Sequence, residues 1–324
     1  MSAKKSLLLV VQGAVTVALL MLLFRGFDWH SFAGVYARLP LSAYVVSFAV
    51  VLAGQLLYAW RWCVVLRTGG LPVSYRVVVQ QSLIGMFVGN FLPSAVGGDV
   101  AKVYLLGRTH GYGAISATVI LDRLLGFGIL AVLAAMALVL ESPDAPVLRL
   151  ARTAMLAVVA VTFIAVGFTL VGTGGMSRRL ARFGPRVTRW TDALQRLRLG
   201  MLGGLKHPTV LWHATVAVLL YFALLTLVYR ALIETLGGVR PGLLQTLVVV
   251  ASVSVMSNVP ISINGLGLRE QLHAALFAPL GVPKEVAVAI SLLLFAHALV
   301  ISLAGGFLWF RTDHPGASLV VPLA

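Results

Sequence analysis

The sequence predicts an all-α membrane protein with about six full transmembrane helices plus two re-entrant, broken helices in an inverted repeat. Three observations carry this. Hydrophobic residues make up 60% of the 324 positions and charged residues only 11%, where ordinary soluble domains carry roughly 25%. Two apolar segments are broken by Gly and Pro beside ionisable residues. These are Asn90-Phe-Leu-Pro-Ser-Ala-Val-Gly-Gly-Asp-Val-Ala-Lys102 and Ser257-Asn-Val-Pro-Ile-Ser-Ile-Asn-Gly-Leu-Gly-Leu-Arg-Glu270. Finally, the basic residues cluster in alternate loops, as they do on the cytoplasmic side of membrane proteins.

Leu7–Phe24 is apolar for about the length needed to cross a roughly 30 Å hydrocarbon core. No small-x-small cleavage site follows it, so it reads as a retained first span rather than a signal peptide. Residues 25–41 form a weakly charged loop. Ser42–Trp60 is the second span, ending in Trp60-Arg61-Trp62, an aromatic anchor around a cation at the interface. Arg61, Arg67 and Arg76 make the following loop basic. Val77–Leu92 is short for a crossing, and Asp99–Gly107 reads as a short helix with Asp99 as its N-cap. Ala114–Leu140 is a full span with Asp122-Arg123 near its start. The loop 141–152 is close to neutral, and Thr153–Val171 crosses again.

Residues 172–208 carry Arg178, Arg179, Arg182, Arg186, Arg189, Arg196, Arg198 and Lys206 against Asp192 alone. After Pro185, Val187, Trp190, Leu194 and Leu197 recur at a helical period, which predicts a basic amphipathic helix on the membrane surface. Val210–Ile233 is a span, Leu243–Val259 runs into the second break, Gln271–Phe277 is a short helical piece, and Val286–Phe310 is the last span.

Charge settles the expected topology. With Lys4 and Lys5 inside, a full crossing by Val77–Leu92 would put the eight cations of 172–208 outside. If that segment dips in and returns, loops 61–76, 99–113 and 172–208 are all cytoplasmic. The same reasoning makes Leu243–Val259 dip from the outer face, with both termini in the cytoplasm of a bacterial inner membrane. The chain is then one integral domain. Its first repeat spans about 42–140 and its second about 209–310, joined by the span 153–171 and the basic linker 172–208. Interrupted helices in corresponding positions of two halves point to a transporter's binding site.

At these residues the sequence resembles the transmembrane region of lysylphosphatidylglycerol synthases and the wider flippase-like integral membrane family. The matching pieces are Arg61-Trp62, Gly85-x4-Asn90-x2-Pro93-Ser-x2-Gly97-Gly-Asp99, Asp122-Arg123-x2-Gly126 and Pro260-x4-Gly265-Leu-Gly-x-Arg269-Glu270. The resemblance covers roughly residues 7–310. It implies a module that moves an anionic or aminoacylated lipid, or a polyprenyl-linked lipid, between leaflets. No aminoacyl-transferase domain accompanies it, so lysylphosphatidylglycerol synthesis is not expected. Asp122-Arg123 stands where the family often shows Glu-Arg.

Seven residues are candidates for substrate binding: Arg61, Asp99, Lys102, Asp122, Arg123, Arg269 and Glu270. A charged residue inside a span is a functional candidate because its burial is costly. Arg123 is either that or an arginine snorkelling to the interface. Arg269 at a helix start could hold a lipid phosphate, or it could pair locally with Glu270. Asp99 is either a cap or a substrate contact, which makes Lys102 the better cation there. Arg61 is a headgroup contact or a topology anchor. Asn90, Pro93, Gly97, Gly98, Pro260, Gly265 and Gly267 shape the breaks, with Asn258 and Asn264 satisfying freed backbone groups. His213 and His297 read as helix–helix contacts rather than proton relays.

The expected function is a flippase-like transporter of a phosphate-bearing lipid, acting without chemistry, metal or cofactor. A membrane-held partner of a glycosyltransferase or lipid synthase is a second reading, and an intramembrane transferase on polyprenyl phosphates a third. Against the last stands the lack of a metal-binding acidic cluster, His-Glu-x-x-His or Ser/His/Asp arrangement. The formal charge of +15 could suggest nucleic acid, but the cations lie between spans and favour anionic lipid. Cys63 is the only cysteine, so no internal disulfide forms.

Overall fold

A computed structural model describes residues 3–25, 27–91, 97–141, 145–171, 185–259 and 262–311. Every regular element among them is helical: α1 (Ala3–Phe24), α2 (Trp29–Ala37), α3 (Leu41–Thr68), α4 (Tyr75–Phe91), α5 (Gly97–His110), α6 (Tyr112–Glu141), α7 (Pro146–Leu170), α8 (Pro185–Leu205), α9 (Pro208–Gly237), α10 (Leu243–Met256), α11 (Leu268–Phe277) and α12 (Lys284–Arg311). Pro146, Pro185 and Pro208 open their helices, where the missing N–H costs nothing and the fixed φ is already helical. Gly238 closes α9 with φ 63°, and Gly111 turns the chain from α5 into α6 with φ 86°, a conformation that a side chain disfavours.

Among the described residues, five helices are long and apolar enough to cross a membrane: α3, α6, α7, α9 and α12. α4 and α10 have 17 and 14 residues, about 25 and 21 Å at 1.5 Å per residue. Both fall short of a roughly 30 Å core.

Several boundaries differ from the sequence reading, each for a physical reason. α3 runs to Thr68, eight residues past Trp60, so Trp62 and Arg61 lie inside a helix and are buried rather than anchored at an interface. Polar residues inside a continuous helix hid its true end. The loop 25–41 contains α2, whose Phe32 and Tyr36 pack edge-on. Most of the predicted outer loop 141–152 is the first turns of α7, begun by Pro146. α6 starts at Tyr112, two residues before the expected span, so Asp122 lies about 15 Å along the helix. α5 starts at Gly97, which puts Asp99 in its first turn and not at the cap. α8 does form after Pro185. Its described apolar residues Leu197, Met201 and Leu205 pack against Ala117, Leu121 and Leu125 of α6, so the bundle covers part of this face. Pro93, Pro260 and residues 172–184 lie outside the described residues.

The helices pack in matched pairs. α3 crosses α9 at the centre, α4 lies against α12, and α10 lies against α6. α5 sits between α4 and α6, as α11 sits between α10 and α12. Lipid tails are as apolar as leucine, so close backbone approach and hydrogen bonds hold such helices together. Gly305 and Gly306 supply that approach. A Cβ on Gly305 would overlap the Leu83 carbonyl of α4, and one on Gly306 would overlap the Phe87 ring.

Candidate functional site

The site starts from one turn of α6. Asp122 and Gly126 are four residues apart and share a face. Asp122 accepts two hydrogen bonds from Arg61 of α3, Nε to Oδ1 at 2.6 Å and Nη2 to Oδ2 at 2.8 Å. The guanidinium needs Gly126: a Cβ there would lie 2.6 Å from Arg61 Nη1. Arg61 also lies over the Tyr58 ring, 5.1 Å from its centroid. Its side chain is 8% exposed and that of Asp122 15%. A planar, always-charged fork suits such a two-point contact.

Arg123, one residue further on, is turned about 100° around the α6 axis. Its Nε donates to Asp99 Oδ2 of α5. Lys102 Nζ lies 3.7 Å from Asp99 Oδ1, so one carboxylate serves two cations. Glycines bring α5 against α4. A Cβ on Gly85 would stand 2.8 Å from the Gly98 carbonyl oxygen and 3.1 Å from Lys102 Cγ. The Lys102 stem therefore crosses bare backbone, and its ammonium lies 5.1 Å from the Trp62 ring centroid.

Described residues flanking the two breaks meet here. Asn264, in a 3-10 turn at 263–265 with φ 50°, donates from Nδ2 to Asn90 Oδ1 at 3.1 Å. Gly265 and Gly267 beside it also have positive φ, 72° and 78°. The Asn90 Nδ2 and the Ser82 Oγ are buried without a hydrogen-bond partner. Around these groups lies a cavity of about 380 Å³, lined by Arg61, Asp99, Lys102, Asp122 and Arg123 with Asn90, Asn258, Asn264, Ser82 and Gly98. Three basic side chains face two carboxylates inside a bundle of helices long and apolar enough to cross a membrane, so the cavity carries one positive charge in excess when all five are ionised.

Five of the seven candidate residues thus meet in one cavity: Arg61, Asp99, Lys102, Asp122 and Arg123. Arg269 and Glu270 are not brought to it. Arg269 pairs with Glu270, Nη2 to Oε1 at 2.6 Å and Nε to Oε1 at 3.0 Å, and lies over the Phe295 ring. Glu270 Oε2 accepts the Gly267 N–H at 2.8 Å, and Ser291 donates to Oε1 at 3.3 Å. The helix-start donor that an anion would seek is occupied by this carboxylate, which is 1% exposed. His273 joins the same cluster through its Nδ1, 2.7 Å from the Arg269 carbonyl oxygen, and its Nε2 lies 2.6 Å from the Tyr229 hydroxyl. His297 bonds Ser47 at 2.9 Å and ties α12 to α3, while His213 packs on Trp60 and bonds the Thr209 carbonyl. Among the described residues no three His, Cys, Asp or Glu side chains group as a metal site would require.

Gln55 and Tyr58 line the cavity and were not singled out from sequence, while Trp62, read there as an interface anchor, lines it too. Their spacing of three and four is a polar and aromatic stripe along α3, visible once α3 is known to continue past Trp60.

A family model described as "Lysylphosphatidylglycerol synthase TM region" matches residues 9–306. A UPF0104 membrane protein of Pyrococcus horikoshii is 25% identical over 325 aligned positions, covering 90% of this chain and 91% of its own length. A UPF0104 membrane protein of Methanothermobacter thermautotrophicus is 26% identical over 317 positions, covering 89% of each.

Proposed function

The chain belongs to the lysylphosphatidylglycerol synthase transmembrane-region family, and on that premise we propose that it is a flippase-like transporter of a phosphate-bearing lipid. The observation that carries the reading is the charged cavity at the helix breaks, with Lys102 and Arg123 sharing one carboxylate. An ionised group far from water is costly unless it is paired or used. Here one positive charge is left over, and Asn90 and Ser82 offer unpartnered polar atoms beside it. A phosphate oxygen would meet both needs. The protein performs no bond chemistry in this account; it lowers the barrier for a headgroup to pass the membrane middle.

The paired packing supports an inverted repeat in which α3, α4, α5 and α6 correspond to α9, α10, α11 and α12. Each element's neighbours in the first set have their counterparts in the second. In this arrangement α1, α3, α6, α7, α9 and α12 cross, while α4 and α10 are re-entrant from opposite faces and their broken ends meet at Asn90 and Asn264. The charge of 172–208 puts that linker in the cytoplasm. Alternating access would then move one repeat against the other around the cavity.

The test is leaflet exchange of fluorescent phosphatidylglycerol in vesicles containing the purified protein. Exchange above that of empty vesicles supports transport. Exchange equal to empty vesicles with phosphatidylglycerol and with a polyprenyl phosphate would contradict it.

A further inference from the structure

We propose that His273 is a proton-binding site and that lipid movement is coupled to the proton it carries. The proposal rests on the transporter reading and names its coupling ion. One cluster of ionisable side chains takes no part in the cavity. Tyr229 of α9, Glu270 and His273 of α11 and Ser291 of α12 are all buried, and Arg269 joins them through Glu270. Ionisable groups held inside a membrane bundle mark ion pathways and proton relays.

The hydrogen bonds fix where a proton enters. The Arg269 carbonyl can only accept, so His273 Nδ1, 2.7 Å away, carries the ring hydrogen. Nε2 then bears the lone pair and accepts from the Tyr229 hydroxyl at 2.6 Å. Glu270 has no such opening. Its Oε1 accepts from Arg269 and Ser291 and its Oε2 from the Gly267 N–H, so a proton there would displace a donor. At His273 a turn of the Tyr229 hydroxyl suffices: Nε2 gains the proton and donates to the phenol oxygen.

The charges that act on the ring are Arg269 and Glu270, one turn back on α11, and α9 adds the Tyr229 phenol. α10 has no ionisable side chain, and α1 has none after Lys5. On α12, Lys284 is taken by the Leu23 carbonyl and His297 by Ser47, and Glu285 lies in the helix's first turn. α7 packs inward with Leu148, Ala151 and Met155, leaving Arg149 exposed and Arg152 partly so.

Position links this proton to the cavity. Glu270 and His273 are the third and sixth residues of α11, as Asp99 and Lys102 are of α5. α11 is the helix that matches α5 in the paired packing. Where the cavity has Lys102, the other half thus has a side chain able to charge between about pH 5 and 8. An imidazolium at His273 competes with Arg269 for Glu270. Glu270 holds the Gly267 N–H beside the turn that carries Asn264 to Asn90. Proton loading therefore acts on the contact between the two halves.

The full chain is reconstituted in phosphatidylcholine vesicles with traces of phosphatidylglycerol bearing a fluorophore on one acyl chain. Potassium and valinomycin clamp the membrane potential, and a gradient of about one pH unit is imposed. Dithionite quenching reads the lipid in each leaflet, with empty vesicles giving the passive response to subtract. Wild-type protein should enrich the lipid in one leaflet by up to about tenfold, and reversing the gradient should reverse the enrichment. His273→Gln can donate to one partner and accept from the other but cannot take up a proton. It should leave the leaflets equal in either gradient. Wild-type protein that exchanges lipid without enrichment overturns the coupling and keeps transport. Enrichment that persists in folded His273→Gln overturns the site. Protein that exchanges no lipid removes the transport reading instead, and nitrogen NMR of histidine-labelled protein in nanodiscs then decides the site. The signal displaced by Tyr229→Phe should pass from one protonated ring nitrogen to two between about pH 8 and 5. A signal that stays neutral overturns the proposal.

Discussion

Asn264 donates to Asn90 Oδ1 at 3.1 Å, joining residues 174 positions apart that stand beside the two breaks. A neutral hydrogen bond of this kind contributes about 1 kcal/mol. We expect Asn90→Ala and Asn264→Ala each to lower stability in detergent, with a double-mutant coupling of about 1 kcal/mol. Additive losses would mean that the breaks are held together by other contacts.

Arg61 and Asp122 form the most enclosed ion pair of the cavity. Arg61→Ala leaves Asp122 uncompensated, and such a break costs about 3–5 kcal/mol. Arg61→Met with Asp122→Leu should recover much of that stability in thermal unfolding, because a packed apolar pair can replace a buried ionic one. Lipid exchange should stay impaired in the double variant. Full recovery of exchange would reduce the pair to a structural role.

The second ion pair makes the contrasting case. Arg269→Ala strands Glu270, 1% exposed, and should destabilise by about 3–5 kcal/mol. Arg269→Ala with Glu270→Gln should restore much of the loss, because the amide can still accept the Gly267 N–H. Exchange by the restored protein is expected at the wild-type rate. A transport defect in a stable double variant would return Arg269 to the substrate path, where the sequence reading had it.

How far the site was legible depended on how each signal is encoded. The breaks could be read because Gly, Pro and charge interrupt apolar runs, and five of seven site candidates meet at them. The burial of Arg61 could not. It depends on where α3 ends, and a polar residue within a span imitates a span's end. Arg269 and Arg123 look equivalent as text, since each sits beside a carboxylate. Only the fold shows that Glu270 is spent on Arg269 and the Gly267 N–H, while Asp99 is divided between two cations.

Topology gives another prediction. Cys63 is 3% exposed, so it should stay silent, and Cys63→Ser gives a clean background. A cysteine at Lys206, in the turn after α8, should be shielded from an impermeant maleimide in intact cells. One at Arg240, whose side chain is 68% exposed beside Glu234, should be labelled. The reverse pattern would invert the proposed orientation.

The central claim is that Lys102 and Arg123 hold a lipid phosphate, and leaflet exchange of phosphatidylglycerol in vesicles tests it most directly. Arg123→Ala leaves Asp99 paired with Lys102, so the protein should remain folded and monodisperse. Losing a charge-assisted hydrogen bond of about 1.5–3 kcal/mol should slow exchange roughly tenfold to a hundredfold. Arg123→Lys should fall between, keeping the charge without the fork, and Lys102→Ala should be slow as well. Folded Arg123→Ala and Lys102→Ala proteins that exchange lipid at the wild-type rate would contradict the account.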